Sequence, residues 1–175
     1  MMPNVVRRAE KILGDPERVI ARLHFPDSPA RVGRIIQRVV ALSEEAATTL
    51  LEQVMLDFAH RHRNIERVFL RHFNAVQQRV PAEVKLSKIK MELIGAYFTN
   101  EYSIESAALF NPSIVPHPDQ SGVAPGELRF VLSLRATGEG HISSIVFRGG
   151  ILDQNNRINF EHVSDYVETP SLHLD

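Results

Sequence analysis

The sequence predicts an α+β fold: a mainly helical N-terminal region over residues 1–105, then about four antiparallel strands within residues 106–175. Three observations predict it. Apolar residues recur at helical spacing upstream and switch to alternation after Ala107. The downstream apolar runs are separated by segments rich in Pro, Gly and Asn, the residues that form turns. The charge is also divided. Residues 1–95 hold 16 basic against 11 acidic side chains, a net +5, whereas residues 96–175 hold 4 against 10, a net −6. Such a division marks two regions with different roles, or two that attract each other.

Composition narrows the class further. The chain is 43% apolar, enough to build a core. With no cysteine, disulfides and thiolate metal sites are excluded. No apolar run approaches the roughly 20 residues of a membrane span, so no membrane partner is expected. The N-terminus, MMPNVVRRAEKIL, lacks the apolar centre of a signal peptide, so a cytoplasmic location is the expectation.

Residues 1–17 carry a weak helical pattern that ends near Gly14-Asp15-Pro16. Arg18–Phe25 alternates imperfectly and reads as a short strand or extended arm. Pro26 and Pro29 open a loop. Arg31–Leu42 places Val32, Ile35, Ile36, Val39 and Val40 at helical spacing, with Arg31, Arg34 and Arg38 on another face. Ser43 is the expected N-cap of the next helix, with Glu44 and Glu45 at its positive end. Ala47, Leu50, Leu51, Val54 and Phe58 form its apolar stripe. A third helix is predicted over Asn64–Val80, with Ile65, Val68, Phe69, Phe73 and Val76 inward, ended by Pro81. Ser87–Ala96 reads as a fourth. Tyr97–Ala107 is ambiguous between a helical turn and extended chain.

The strands follow. Leu109–Val115 and Leu128–Leu134 flank a Pro- and Gly-containing loop, and His141–Phe147 returns after the turn Thr137-Gly138-Glu139-Gly140. Leu128, Phe130, Leu132 and Leu134 point one way; Arg129, Val131, Ser133 and Arg135 point the other. Arg148-Gly149-Gly150 reads as a bend or bulge. Asp153-Gln154-Asn155-Asn156 is a hairpin turn before Arg157–Phe160. Four antiparallel strands in about 50 residues is the size of one propeller blade, and no second copy occurs in the chain. Residues 165–175 carry no core pattern.

Polar residues gather at the strand ends: Asn111, Arg135, Glu139, His141, Ser143 and Ser144. Asn111 precedes Pro112, which biases its backbone toward extended geometry. Its amide can both donate and accept, as recognition of hydroxyls requires, or it can cap its own turn. Arg135 beside a Gly-rich turn can make paired hydrogen bonds to hydroxyls or phosphate, or remain a solvated strand-end arginine. Glu139 and His141 are close in sequence, which by itself supplies neither the distance nor the pKa of an acid/base pair. His60, His62 and His72 lack metal-ligand spacing and are expected on a solvated or interface face. Arg31, Arg34, Arg38 and the arginines of 61–71 form a basic surface. Neither a helix-turn-helix nor an aromatic-interleaved pattern accompanies it, so it is expected to pack against acidic surface of the β half or of a partner, and nucleic acid is not expected. Gly138-x-Gly140 is not a dinucleotide fingerprint.

The segments IGAYFTNEYSIESAALFNPSIVPHPDQ and GELRFVLSLRATGEGHISSIVFR, over Ile94–Arg148, together with the preceding helices, resemble the N-terminal part of long members of glycoside hydrolase family 130, the β-mannoside phosphorylases and hydrolases. The Asn-Pro pair, the strand ending in Arg, and the Gly-containing return are similar to the first blade of that family's five-bladed β-propeller. The resemblance implies a β-mannoside or other oligosaccharide as ligand, bound at the mouth of the propeller channel. It implies inorganic phosphate or water as the attacking group, no other cofactor, and an Asp as general acid. It makes Asn111 and Arg135 sugar-pocket residues, with Glu139, His141 and Ser143 as neighbours. The family's catalytic Asp lies in a Glu-Asp-Pro-Arg-like context in a later blade, and no such motif occurs here. Five blades need roughly 250 residues beyond the helices, and about 70 follow Ala107. The expectation is therefore the front portion of such an enzyme, inactive alone, without a catalytic residue of its own, and completed by further blades or by self-association. The competing expectation is a non-enzymatic interaction module whose helices and open strand edges dock a partner protein.

Overall fold

The computed structural model describes residues 10–168 of the 175-residue chain. The described residues form two compact units: 10–18 with 103–165, and 19–102 with 166–168. The architecture is α+β, with one two-stranded and one four-stranded antiparallel sheet, neither closed into a barrel. Among the described residues no helix is long and apolar enough to cross a membrane.

The helical unit begins with β1 (Val19–Leu23) and contains α1 (Pro29–Val40), α2 (Glu44–Phe58), α3 (Ile65–Val76) and α4 (Lys88–Tyr97). Pro29 opens α1, where its missing N–H costs nothing. The hydroxyl of Ser43 accepts from the Ala46 amide, Asn64 from Arg67 and Ser87 from Lys90, so three of the four helices start on a side-chain cap. Lys90 on α4 donates its Nζ to the carbonyls of Val40 (3.1 Å) and Leu42 (2.7 Å), satisfying groups exposed where α1 ends. Val32, Ile36, Val39, Ala47, Phe73, Val76, Leu93, Ile94 and Phe98 meet in one buried cluster. Gly95 is required where α4 approaches α3, because a Cβ there would collide with the Phe69 carbonyl.

Several expectations change. α2 buries Ala47 alone; Leu50 and Phe58, assigned to its apolar stripe, are exposed. α3 stops at Val76 and a single 3-10 turn, Gln77–Arg79, carries the chain toward Pro81. Val68 is half-buried, while His72, expected on a solvated face, is buried. The ambiguous segment after Tyr97 becomes β2 (Thr99–Ser103), which pairs with β1. A helical turn there would have left the edge of β1 without its partner.

In the sheet unit, β3 (Ala108–Pro116), β4 (Leu128–Thr137), β5 (Ser143–Leu152) and β6 (Ile158–Phe160) form an antiparallel meander in chain order. Residues 10–14, the described part of the expected N-terminal helix, hold no regular structure and belong to this unit; residues 1–9 lie outside the described residues, as do 169–175. Phe130, Leu132, Leu134 and Ala136 of β4 and Val146, Arg148 and Gly150 of β5 are buried on one face. The opposite face leaves Val115, Ile145 and Phe147 at 55%, 69% and 63% exposed. Gly149 and Gly150 make no bulge: they continue the ladder opposite Val131 and Phe130. They are glycine for space, since a Cβ would strike the Glu161 carboxylate or the Phe130 ring. The Asp153 hairpin turn forms as expected: its carboxylate accepts from the amides of Asn155 and Arg157, both at 2.8 Å, and Asn156 takes φ 58°.

The buried face of this sheet is organised by charge as well as by apolar contact. Glu105 is fully buried between two arginines. Its carboxylate accepts from Arg148 Nη2 at 2.7 and 2.8 Å and from Arg18 Nε at 3.2 Å. Arg18 Nη1 donates on to the Ser164 carbonyl at 2.7 Å, and Arg148 Nη1 to the Phe147 carbonyl at 3.0 Å. Each of the three charges is therefore paired, and each arginine also donates to a backbone carbonyl, the kind of pairing under which buried ions are tolerated.

Candidate functional site

Of the sequence-predicted residues, Arg135 and Ser143 touch, near the end of the four-stranded sheet where β4 turns into β5. Phe110 lies opposite Arg135, and the next pair in register is Ser113 opposite Ser133. Asn111 and Pro112 together therefore face the single residue Leu134, which is a β-bulge. Proline suits a bulge because no ladder bond is asked of its nitrogen. Asn111 takes φ 52°, left-handed rather than the extended geometry its proline neighbour favours. Asparagine is among the few residues that tolerate this region. The bulge thus sets Asn111 apart from the regular alternation of β3.

Arg135 is held from two sides. Its guanidinium lies over the Phe110 ring, 5.2 Å from the centroid, and its Nε donates to Ser143 Oγ at 3.0 Å. Stacking on a ring and one anchoring hydrogen bond remove rotamer freedom from the head group. The terminal NH2 groups stay available as a fork. Ser143, having accepted from Arg135, still has its own proton to donate.

The β4–β5 connection supplies the other two residues. Glu139–His141 is one 3-10 turn, closed by the Gly138 amide on the Ile142 carbonyl at 3.0 Å. Gly140 and His141 both take positive φ, 61° and 59°. Two consecutive left-handed residues reverse the chain tightly, and Glu139 and His141 are exposed in this connection. Asn111, Arg135 and Ser143 are exposed too. Ser144 does not join them: it lies opposite Ala136 on the other face of the sheet. Among the five, Glu139 is the single carboxylate.

Phe110 was not among the candidates read from the sequence, although it determines how Arg135 is presented. The signal was present: an aromatic residue immediately before Asn-Pro, placed opposite the arginine once the strands pair. The histidines also found partners. His62 Nε2 lies 2.7 Å from Glu101 Oε1, and Arg61 forks onto the same carboxylate at 3.2 and 2.7 Å. His72 Nδ1 lies 2.8 Å from Thr99 Oγ1, whose proton goes to the Gly95 carbonyl, also 2.8 Å away. Nδ1 is therefore the donor to Thr99 Oγ1. Burial first, and the Arg71 charge second, lower its pKa below the ordinary 6.5. Among the described residues no group of three or more His, Asp or Glu is placed to hold a metal ion.

Comparison of the chain with protein-family models, with curated proteins and with solved structures returns no match.

Proposed function

We propose that the rim made by Asn111, Arg135, Glu139, His141 and Ser143 is a carbohydrate-binding edge, and that the sheet is the first blade of a β-propeller of the β-mannoside phosphorylase and hydrolase kind. One observation carries the reading. A guanidinium held by the Phe110 ring and by the Ser143 hydroxyl keeps its terminal fork at one exposed sheet end, and such a fork with a hydroxyl beside it suits recognition of vicinal hydroxyls. The sequence resemblance over Ile94–Arg148 supplies the sugar class, and inorganic phosphate or water as the attacking group.

The chemistry also limits the role. Cleaving a glycoside requires two carboxylates about 5–10 Å apart, or one with phosphate. Glu139 is exposed at a turn and has no acidic neighbour among the rim residues. The chain binds and orients a sugar, and does not cleave it alone. The test is calorimetry with β-1,4-mannobiose, paired with a phosphorolysis assay on the same sample. The expected result is weak binding, on the order of millimolar for an open site, abolished by Arg135→Ala, with no turnover. Absence of binding removes the sugar reading; turnover removes the division of labour.

A second reading is favoured by the open face of the sheet. Val115, Ile145 and Phe147 lie exposed across three neighbouring strands, flanking Val131 and Ser133. Such a face suits an interaction module that packs against another sheet, including one from a second copy of the chain. Sedimentation velocity across a concentration series tests it: association that Phe147→Ser abolishes supports it, and a monomer at every concentration rejects it.

A further inference from the structure

The basic side chains of the helical unit fall into two groups. Arg61, Arg63, Lys88 and Lys90 each have a carboxylate partner, on Glu101, Glu168, Glu92 and Glu44 respectively. Arg31, Arg34 and Arg38 on α1 have none within 4.0 Å among the described residues, and neither do Arg22, Arg67, Arg71, Arg79 and Lys85. The helix itself, PARVGRIIQRVV, contains no acidic residue. Spaced three and four apart, the three arginines share one flank of α1, about 4.5 and 6 Å apart along the axis. All three are exposed. With His24, Ile35 and Tyr97 they line an open groove of about 510 Å³. Tyr97 is 47% exposed, and so presents ring surface beside the guanidinium groups.

An uncompensated row of guanidinium groups attracts multivalent anions, and planar forks match phosphate oxygens in pairs. An exposed aromatic ring beside such a row adds a stacking surface that carboxylate or sulfate ligands do not use. Tyr97 lies far from α1 in sequence, which is why the basic helix reads as unaccompanied until the chain is folded. We propose that this groove binds the phosphates and base of a nucleotide, with Arg31, Arg34 and Arg38 holding consecutive phosphates and Tyr97 stacking on the base. The source of that chemistry is either a free nucleoside triphosphate or a single-stranded nucleic acid. The groove is independent of the sheet rim and does not rest on the sugar reading.

The experiment uses the full chain and fluorescence anisotropy or calorimetry at low salt, with three probes: ATP, inorganic tripolyphosphate and a deoxythymidine 10-mer. ATP or the 10-mer is expected to bind. The paired charge reversal Arg34→Glu with Arg38→Glu is expected to weaken that binding at least about tenfold, and added salt to weaken it further. Tyr97→Ala is expected to weaken ATP and the 10-mer but not tripolyphosphate. Whichever of ATP and the 10-mer binds more tightly identifies the source. Arg67→Glu with Arg71→Glu, on α3 of the same unit, serves as the control and is expected to change binding less; circular dichroism verifies that every variant is folded. Three results overturn the proposal: no binding of any probe at about 1 mM, binding that the α1 reversal leaves unchanged, or tripolyphosphate binding as tightly as ATP with Tyr97→Ala silent.

Discussion

In the helical unit, nine residues from α1, α2, α3, α4 and the residue after α4 pack into one apolar cluster; Ile36, Val39, Ala47, Val76, Leu93, Ile94 and Phe98 have almost no exposed surface. In the sheet unit, the buried face combines Phe130, Leu132, Leu134 and Val146 with an ion network on Glu105, and the other face stays open. The two solutions respond differently to damage. An apolar cluster loses transfer energy in proportion to the volume removed. An ion network loses more than the contacts of the charge removed, because the other charges remain buried without it. The comparison also separates the two interiors: the helical cluster is closed and apolar, whereas the sheet buries one face and leaves the other exposed.

The largest expected effect breaks the network. Glu105→Ala leaves Arg18 and Arg148 without their shared carboxylate, and the expected cost is about 3–5 kcal/mol. Hydrogen exchange, read separately on the two units, should show the loss confined to the sheet strands; equal loss in α1–α4 would erase the distinction drawn here. Next comes Leu93→Ala in the helical cluster, expected to cost about 2–5 kcal/mol in urea denaturation. A cost under about 1 kcal/mol would mean that the cluster collapses readily.

A smaller, pH-dependent effect belongs to His72. Its folded pKa is lowered by burial and then by Arg71, so the folded state resists the proton that the unfolded chain accepts. The stability is fully present above the unfolded value of about 6.5 and falls as pH drops below it, levelling off once the folded pKa is passed. His72→Gln should flatten that part of the pH–stability curve. The smallest effect is on the open face: Phe147→Ser should change stability by no more than about 0.5 kcal/mol, while lowering any self-association.

Much of the fold was legible because local signals were strong and agreed. Ser43, Asn64 and Ser87 each stand at the start of a helical run and each accepts a cap bond, the one on Ser43 as expected. The alternation in Leu128–Leu134 and the Asp153 turn determined strand and hairpin in the same way. What was not legible depended on distant partners. Thr99–Ser103 becomes a strand because β1, about 80 residues earlier, offers an edge. Leu50 and Phe58 sit at helical spacing yet face outward, since spacing alone does not say which side a neighbour covers. Gly149-Gly150 looked like a bend because the Glu161 and Phe130 side chains that demand glycine are invisible in a local window. The candidate rim was readable as a list of polar strand-end residues. Its assembly by the Asn111 bulge and by Phe110 beneath Arg135 required the register.

The most direct test of the central claim is a titration of the isotopically labelled chain with β-1,4-mannobiose, followed on the Asn111 side-chain amide and the Arg135 Nε–H by NMR. The account predicts saturable shifts at both positions, with Ser143 and the 139–141 turn following and α1–α4 unmoved. It also predicts that Arg135→Ala removes the response at Asn111. Shifts that are absent, that scatter over the whole surface, or that persist in Arg135→Ala would contradict it.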